Sequence, residues 1–257
     1  MNKVVAALAA LALIVAPRAF AVELLEEVVE QQYDVTADVS LNVANVDGSI
    51  RVYGAEAPRI LIQGIKKAYS RERLDGIVVD IKASPNDVTV TTTIPPRKNA
   101  LSDRSGTVDY IIVVPQTARV RQLDLTNGEI LVEGLRGGGS ANAHLVNGWL
   151  AGHNCFGDLT LKVETGRLDV AYDWWENHEF AVKGFNTRGS IRASFPSDAA
   201  INLSASAPEG RIANAFDKGK TTPAEMAQSV AEVLGSDADA VIALEAQRGN
   251  IRIEKTY

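Results

Sequence analysis

Short stretches of alternating apolar and polar residues recur along most of the chain, each beside a glycine. At one of them, Asn127-Gly128 is followed by the polar residue Glu129 and then by the apolar residue Ile130. A glycine after Asn or Asp readily takes the positive φ that a tight turn needs. Alternation with a period of two residues is typical of a strand that is buried on one face. This pattern therefore predicts a unit of strand, turn and strand.

The unit repeats at a nearly constant interval. Its Gly-x-Ile/Leu core occurs at Gly48, Gly128, Gly148, Gly166, Gly189, Gly210 and Gly249. The five glycines from 128 to 210 are separated by 20, 18, 23 and 21 residues, and the last gap of 39 is close to two intervals. Such a unit cannot bury its apolar face alone, whereas stacked units share one core.

The repeat predicts an all-β fold, a β-solenoid or β-roll-like stack of strand-turn-strand repeats. An ordinary antiparallel meander or sandwich also places strands at regular intervals, and it stays open as the alternative. We see no linker that would divide the chain, so residues 22–257 are expected to form a single β-repeat domain.

One stretch near the C-terminus has a helical pattern instead. Thr222 is a capping residue, Pro223 stands at the first helical position, and Glu225 follows the cap by three residues. The apolar residues that follow share one helical face, and Gly235 is placed to end the helix. The pattern predicts a short helical insert at about 222–235.

The N-terminus has the pattern of a signal peptide. Lys3 precedes an apolar run over residues 4–15, and Ala19-Phe20-Ala21 fits the small-x-small cleavage rule. We therefore expect a signal peptide at 1–21 and an exported chain, in the periplasm or at the cell surface or extracellular. No later segment is apolar enough to predict an integral membrane helix after cleavage.

Charge and cysteine content narrow the classes of partner. The chain has a net charge of −6, and residues 1–21 carry two basic and no acidic residues, so cleavage would make it −8. Nucleic acid is not expected as a partner, because phosphate binding needs basic clusters. Cys155 is the single cysteine, so no intramolecular disulfide is possible and the fold depends on its core and strand ladders.

The residues of these repeats resemble a known group. The sequence Asn-Val-Asp-Gly-Ser-Ile-Arg-Val at 45–52, the apolar strand at 110–115 and the serial Gly-x-Ile units are similar to the bacterial "putative adhesin" β-strand-repeat family, a group of exported proteins of unknown function. The chain departs from the family pattern with Thr, Arg or Glu before several glycines. The resemblance implies a non-catalytic envelope module that binds a glycan, a cell-wall component or another envelope protein, with no catalytic residue to carry over.

The segment 169–179 holds the candidate binding residues. Tyr172, Asp173, Trp174 and Trp175 combine aromatic rings with a carboxylate, a pairing suited to holding sugars. Neighbouring residues on a strand point to opposite faces, so one tryptophan facing the core and one facing solvent is the expected arrangement. The commoner explanation of such a segment is that one ring packs on the core while the acidic residues are solvated.

An enzyme is the alternative function. β-Solenoid folds host polysaccharide lyases and hydrolases with paired carboxylates, and Asp169, Asp173 and Glu176 would be the candidates here. No Gly-x-Ser-x-Gly motif for a serine nucleophile occurs. Fold analogy cannot supply a missing site geometry, so no catalytic residue is predicted and the protein is expected not to be an enzyme.

The sequence gives little support for a metal site or a cofactor. His144 and His153 are nine residues apart on either side of a predicted turn, and Cys155 lies two residues after His153. Zinc sites usually show three or four ligands at recognisable spacing. We therefore expect surface histidines, a small buried cysteine, no metal and no cofactor.

Overall fold

The computed structural model describes residues 23–96, 105–216, 228–236 and 238–256, which form fifteen strands and one short helix. The predicted signal peptide lies outside these residues. The strands are β1 (Leu25–Asp34), β2 (Ser40–Ala55), β3 (Arg59–Ala68), β4 (Val78–Ser84), β5 (Asp87–Thr93), β6 (Thr107–Pro115), β7 (Arg119–Glu133), β8 (Ser140–His153), β9 (Asp158–Ala171), β10 (Ala181–Pro196), β11 (Ile201–Ser206), β12 (Ile212–Asn214), β13 (Ser229–Leu234), β14 (Ala240–Arg248) and β15 (Ile251–Thr256). The helix is α1 (Arg71–Asp75), and its capping residue Ser70 accepts a hydrogen bond from the Arg73 N–H.

The described strands form one open mixed sheet, and eleven of them lie in the order β1-β3-β6-β2-β7-β8-β9-β10-β14-β11-β13. Of the other four, β5 pairs with β2 and β4, and β15 pairs with β10 and β12. The run from β6 through β2 to β11 is parallel throughout. The margins are antiparallel, because β3 pairs with β1 and β6 on one side and β13 pairs with β11 on the other. The all-β prediction is confirmed, and the sheet is mixed, with parallel strands in its centre and antiparallel pairs at its margins.

The repeated glycines lie side by side in adjacent strands and form a column across the sheet. Gly48, Gly128, Gly148, Gly166 and Gly189 are register partners in turn along β2, β7, β8, β9 and β10. At Gly148 the backbone has φ +137°, and a Cβ there would lie 1.9 Å from the carbonyl oxygen of Gly128. Only glycine combines that φ with so close an approach of two backbones.

The column does not follow chain order at its far end. Gly249 contacts Gly189, and Gly210 contacts Gly249, so the last glycine in the sequence lies between its two predecessors. The reason is that β14 and β15 pair directly with β10, while β11 and β12 pair on the outer side of β14 and β15. The sequence interval of 39 residues is therefore not two regular layers of the stack.

The predicted helix at about 222–235 is wrong over its second half, where Ser229–Leu234 is strand β13. Residues 217–227, including the predicted cap, lie outside the described residues. Val230 and Val233 favour a strand, and β11 offers an unpaired edge whose backbone groups β13 satisfies. Pairing with this edge outweighs the helical spacing of the apolar residues.

The core lies on the face of the sheet to which the repeated Ile and Leu side chains point. The residue two after each column glycine is buried, as predicted. These side chains are Ile50, Ile130, Leu150, Leu168, Ile191, Ile212 and Ile251. Burial of each contributes on the order of 2 kcal/mol, so the repeat stabilises the parallel part of the sheet.

Candidate functional site

Three chain connections meet where the central strands end. Residues 134–139 join β7 to β8, 154–157 join β8 to β9, and 172–180 join β9 to β10. The strands are in register, so their ends coincide and the connections stack on one another. The candidate segment 169–179 is thus the last part of β9 and most of the longest of these three connections.

Asn154 ties the second connection to the third. Its backbone has φ +48°, a conformation that Asn tolerates better than most residues. Its side-chain oxygen accepts a hydrogen bond from the Asp173 N–H at 2.8 Å, and its amide nitrogen donates to the Asp173 carboxylate at 3.1 Å. The His153 ring lies 2.9 Å from the same carboxylate. The Asp173 side chain is exposed. It is nevertheless held in place by His153 at the end of β8 and by Asn154 in the following connection.

Tyr172 lies inside the protein rather than on its surface. Only 1% of the residue is exposed, and its hydroxyl donates to the Cys155 carbonyl oxygen at 2.7 Å. Burial raises the pKa of Tyr172 well above its ordinary value. Burial likewise raises the pKa of the Cys155 thiol to about 11. Both residues are buried beneath the connections, and the hydrogen bond between them joins the second connection to the third. Because Tyr172 is buried, it cannot contact a ligand on the surface.

The two adjacent tryptophans differ in exposure, although both rings contact Phe156, with centroids 6.0 Å away for Trp174. Trp175 is half-buried and packs on Tyr172, Phe180 and Phe156, with ring centroids 5.4, 5.8 and 6.2 Å away. Trp174 is 42% exposed. The segment is not a strand at this point, so the alternation comes from the packing of Trp175 on the aromatic cluster beneath it.

Trp174 is exposed but has a fixed set of partners. Its indole N–H donates to the Glu176 carboxylate at 2.8 Å, and Arg136 forms an ion pair with that carboxylate at 2.9 Å. The Arg136 guanidinium carbon lies 5.6 Å from the ring centroids of both Trp174 and Phe156. A cation over an aromatic face is favourable by roughly 0.5–1 kcal/mol at an exposed site. The ring is thus held in place by Arg136 and Glu176 and remains partly exposed.

The three carboxylates of the enzyme hypothesis have separate partners. Asp169 accepts hydrogen bonds from the Trp149 indole at 2.8 Å and from Arg167 at 2.7 Å. Asp173 is bound by His153 and Asn154, and Glu176 by Arg136 and Trp174, as described above. Each carboxylate is thus engaged by its own set of donors, and none of these donors is shared between two of the three.

Both central histidines lie between acidic side chains of neighbouring strands. His144 lies 3.7 Å from Asp124 and 3.0 Å from Glu164. His153 lies 3.3 Å from Glu133 and 2.9 Å from Asp173. Across residues 23–96, 105–216, 228–236 and 238–256, no group of three or more His, Cys, Asp or Glu side chains is placed to hold a metal ion.

Sequence reasoning missed Arg136, Asn154 and Phe156, which position the candidate residues from other connections. The repeat itself carried only a partial signal. The contacts Trp149–Asp169 and His153–Asp173 each join residues 20 apart, whereas β8 and β9 pair at an interval of 18. Each contact therefore joins a residue of β8 to the residue two places beyond its register partner. The glycine interval indicates which strands are neighbours, but it does not by itself predict these side-chain pairs.

No protein-family model matches the sequence, and no curated protein matches it either. Solved structures do match. A "putative cell adhesion protein" from Clostridium sporogenes ATCC 15579 is 15% identical, with a TM-score of 0.51 over 91% of this chain and 100% of that chain. A "putative adhesin" from Bacteroides fragilis NCTC 9343 is 12% identical, with a TM-score of 0.32 over 90% of this chain and 97% of that one. At these identities, the first likeness shows a shared fold and the second carries no further weight.

The helix α1 has five residues. Within the part of the chain that the structure describes, no helix has the length and apolarity needed to span a membrane.

Proposed function

We propose that this protein is an exported, non-catalytic envelope module of adhesin type that binds a glycan of the cell surface through Trp174. The observation that carries the proposal is an indole that is 42% exposed and yet held by Arg136 and Glu176. A large, rigid aromatic surface offers contact area at little cost in conformational entropy. The neighbouring exposed carboxylate of Asp173 offers a hydrogen-bond acceptor for sugar hydroxyls.

The proposal includes a coiled, solenoid-like path for the parallel strands. A straight strand of 14 residues, the length of β8, would span about 45 Å at ~3.3 Å per residue. The connection from β8 to β9 has only four residues and reaches at most about 18 Å. Because β9 begins beside the start of β8, the chain must reverse direction within the strand. The column glycines, with their positive φ, support that reversal.

A coiled path explains why the connections are suited to binding. At the glycine column, the backbones of neighbouring strands approach too closely for any side chain. The residue at each turn therefore cannot change without loss of the strand packing. The connections differ in length, from four residues between β8 and β9 to nine between β9 and β10. Such variable connections on a rigid scaffold are where binding residues concentrate.

Export remains a prediction of the sequence and is part of the proposal. Cleavage after Ala21 would give a mature chain that begins at Val22. N-terminal sequencing of the protein recovered from fractionated cells tests it directly. A chain recovered from the cytoplasm with Met1 intact would contradict export.

Binding is tested with the mature protein and purified envelope fractions, with glycan and protein components separated. We expect co-sedimentation with the glycan fraction that Trp174→Ala weakens by about tenfold, the size of effect that loss of a central aromatic anchor produces. Tyr69→Ala is the matched control, because Tyr69 is an aromatic residue that is 53% exposed and lies outside the connections.

Three outcomes would contradict the proposal. Equal losses in the Trp174 and Tyr69 variants would remove the assignment to Trp174. Binding only to the protein fraction would exclude a glycan ligand. Turnover of an envelope polysaccharide that stops when Asp169, Asp173 and Glu176 become Asn or Gln would show a catalytic protein.

A further inference from the structure

A second concave surface lies on the outer face of the sheet, away from the connections. It is a cavity of about 440 Å³ across four adjacent parallel strands, lined by 160–162 of β9, 183–185 of β10, 243–245 of β14 and 204–206 of β11. That volume lies within the range of small-ligand pockets. On each strand, the middle lining residue is buried and faces the core. The residues on either side of it are exposed or half-buried and face the cavity.

The strand register shows how the cavity arises. Ala243 on β14 lies between Lys183 on β10 and Ser204 on β11 in one lateral row. The next outward row places Phe185 between Lys162 and Glu245. The short Ala243 side chain forms the floor, and the longer side chains around it form the walls.

The two lysines in this cavity have no bonded partner among the described residues. Lys162 and Lys183 are both exposed, and neither forms a hydrogen bond or an ion pair with a described residue. By contrast, Lys66, Lys67 and Lys82 each form an ion pair with a carboxylate. Glu245 is the acidic residue in the cavity lining, so two ammonium groups stand against one carboxylate and the lining has a net positive charge. In a chain of net charge −6, this surplus makes the cavity a local site for an anion.

Phe185 and the serine hydroxyls in the cavity lining favour an anion that also has an apolar ring face and hydroxyl groups. Phe185 is half-buried in the wall, one strand from Lys162 and two residues from Lys183 on the same face. Neighbouring strands are ~4.8 Å apart and alternate residues about 6.6 Å apart, so both ammonium groups reach a carboxylate on a ring that covers Phe185. Ser204, Ser206 and Glu245 line the remaining wall with groups that bond hydroxyls.

We propose that this cavity binds a uronate residue of an acidic polysaccharide. A uronate carries a carboxylate, an apolar C–H face and several hydroxyls on one ring. These groups match the lysine pair, Phe185 and the serine hydroxyls in turn. Charge-assisted bonds to the lysines fix the orientation, and contact with Phe185 supplies apolar burial. The inference rests on the proposed glycan-binding function but assigns a separate site and a ligand class.

The test measures binding of hexagalacturonate and of a glucuronate-containing hexasaccharide to the mature protein by titration calorimetry. Methyl-esterified hexagalacturonate and maltohexaose are the neutral probes. We expect both uronate probes to bind and the neutral ones to bind at least about tenfold more weakly, since they cannot form the charge-assisted bonds to the two lysines. The double variant Lys162→Gln/Lys183→Gln should lose about tenfold or more in affinity.

Matched variants separate the site from general charge and from folding. Arg59 on β3 is another exposed cation without a bond to a described residue, and Arg59→Gln should leave the affinity unchanged. Phe185→Leu should weaken binding of the uronate probes, with thermal unfolding confirming that it is folded. If it does not fold, the surface lysine variant decides alone.

The outcomes also separate this site from the function proposed above. The uronate site would be overturned if neither uronate probe bound. It would also be overturned if the lysine variant and Arg59→Gln lost the same amount of affinity. Trp174→Ala should leave hexagalacturonate affinity intact, and a loss there equal to that of the lysine variant would also overturn it. If uronates bind through the lysines while no envelope glycan depends on Trp174, this site stands and the proposed role of Trp174 fails.

Discussion

The glycine column and the connections of the central strands are built in different ways. At the column, which crosses the interior of the strands, backbone packs on backbone, and Gly128, Gly148 and Gly166 repeat one geometry in successive strands. At the ends of the strands, the connections are filled by aromatic side chains, among them Phe156 and Trp175, and each connection has its own length. The column fixes the register of the parallel strands, and the connections can change without altering it. A binding surface therefore belongs at these connections, here called the aromatic end, or on the outer face.

The largest effect is expected at the glycine column. In Gly148→Ala, the new Cβ would lie 1.9 Å from the Gly128 carbonyl oxygen at a φ of +137°. We expect a loss of more than about 4 kcal/mol in the free energy of unfolding, because strain and a backbone clash combine. The midpoint of urea denaturation measures the change.

Gly138→Ala is the matched control for this substitution. Gly138 also has a positive φ, +87°, but no atom lies within 4 Å of the position that a Cβ would take there. It should lose only about 1–2 kcal/mol, the cost of placing a Cβ in the left-handed region. Similar losses in both variants would show that φ alone, and not the close approach of strands, makes the column sensitive.

The aromatic end should show an intermediate effect that differs between two adjacent residues. Trp175→Ala removes a half-buried ring from contacts with Tyr172, Phe156 and Phe180, and should cost about 2–3 kcal/mol. Trp174→Ala should cost less, about 1 kcal/mol, since 42% of the residue is already exposed and its contacts with Arg136 and Glu176 lie at the surface. Thermal or urea unfolding measures both values. The reverse order would mean that Trp174 is structural, and its proposed binding role would lose its basis.

A pH-dependent loss of stability is expected in alkaline solution, again at the aromatic end. The pKa of Cys155 is raised by burial from 9.0 to about 11. Between these values the unfolded thiol has lost its proton and the folded one has kept it. Its contribution is therefore complete below pH 9 and is lost as pH rises toward 11, by about 1.4 kcal/mol per pH unit.

Comparison with Cys155→Ala isolates this contribution. Burial also raises the pKa of Tyr110 on β6 to about 12, so some alkaline loss persists in the variant. Urea midpoints at pH 8, 9 and 10 should fall more steeply for the natural chain than for Cys155→Ala. Parallel curves would show that the thiol does not titrate differently on folding.

The glycine column was largely predictable from the sequence, and the aromatic end was not. Ile130 and Leu150 were placed in the core correctly because the repeat fixes both the turn and the alternation after it. The partners of Trp174 come from other connections, and no local pattern marks Arg136 as one of them. The strand at Ser229–Leu234 was missed because pairing with β11, a long-range contact, outweighed a helical pattern. The cavity lined by Phe185 depends on the register of β9, β10, β14 and β11. It could not be predicted because β14 lies between β10 and β11, out of chain order.

Neighbouring glycines of the column are separated by very different lengths of chain, and this difference affects the order in which the strands fold. Gly128 and Gly148 are 20 residues apart in sequence, whereas Gly48 and Gly128, also direct neighbours, are 80 apart. Closing the longer loop costs about 1.2 kcal/mol more in chain entropy. We therefore expect β7 to β10 to form the nucleus, with β2 and β14 docking later on either side. Pulsed hydrogen exchange during refolding should protect amides of β8 and β9 before those of β2; simultaneous protection would indicate a single concerted step.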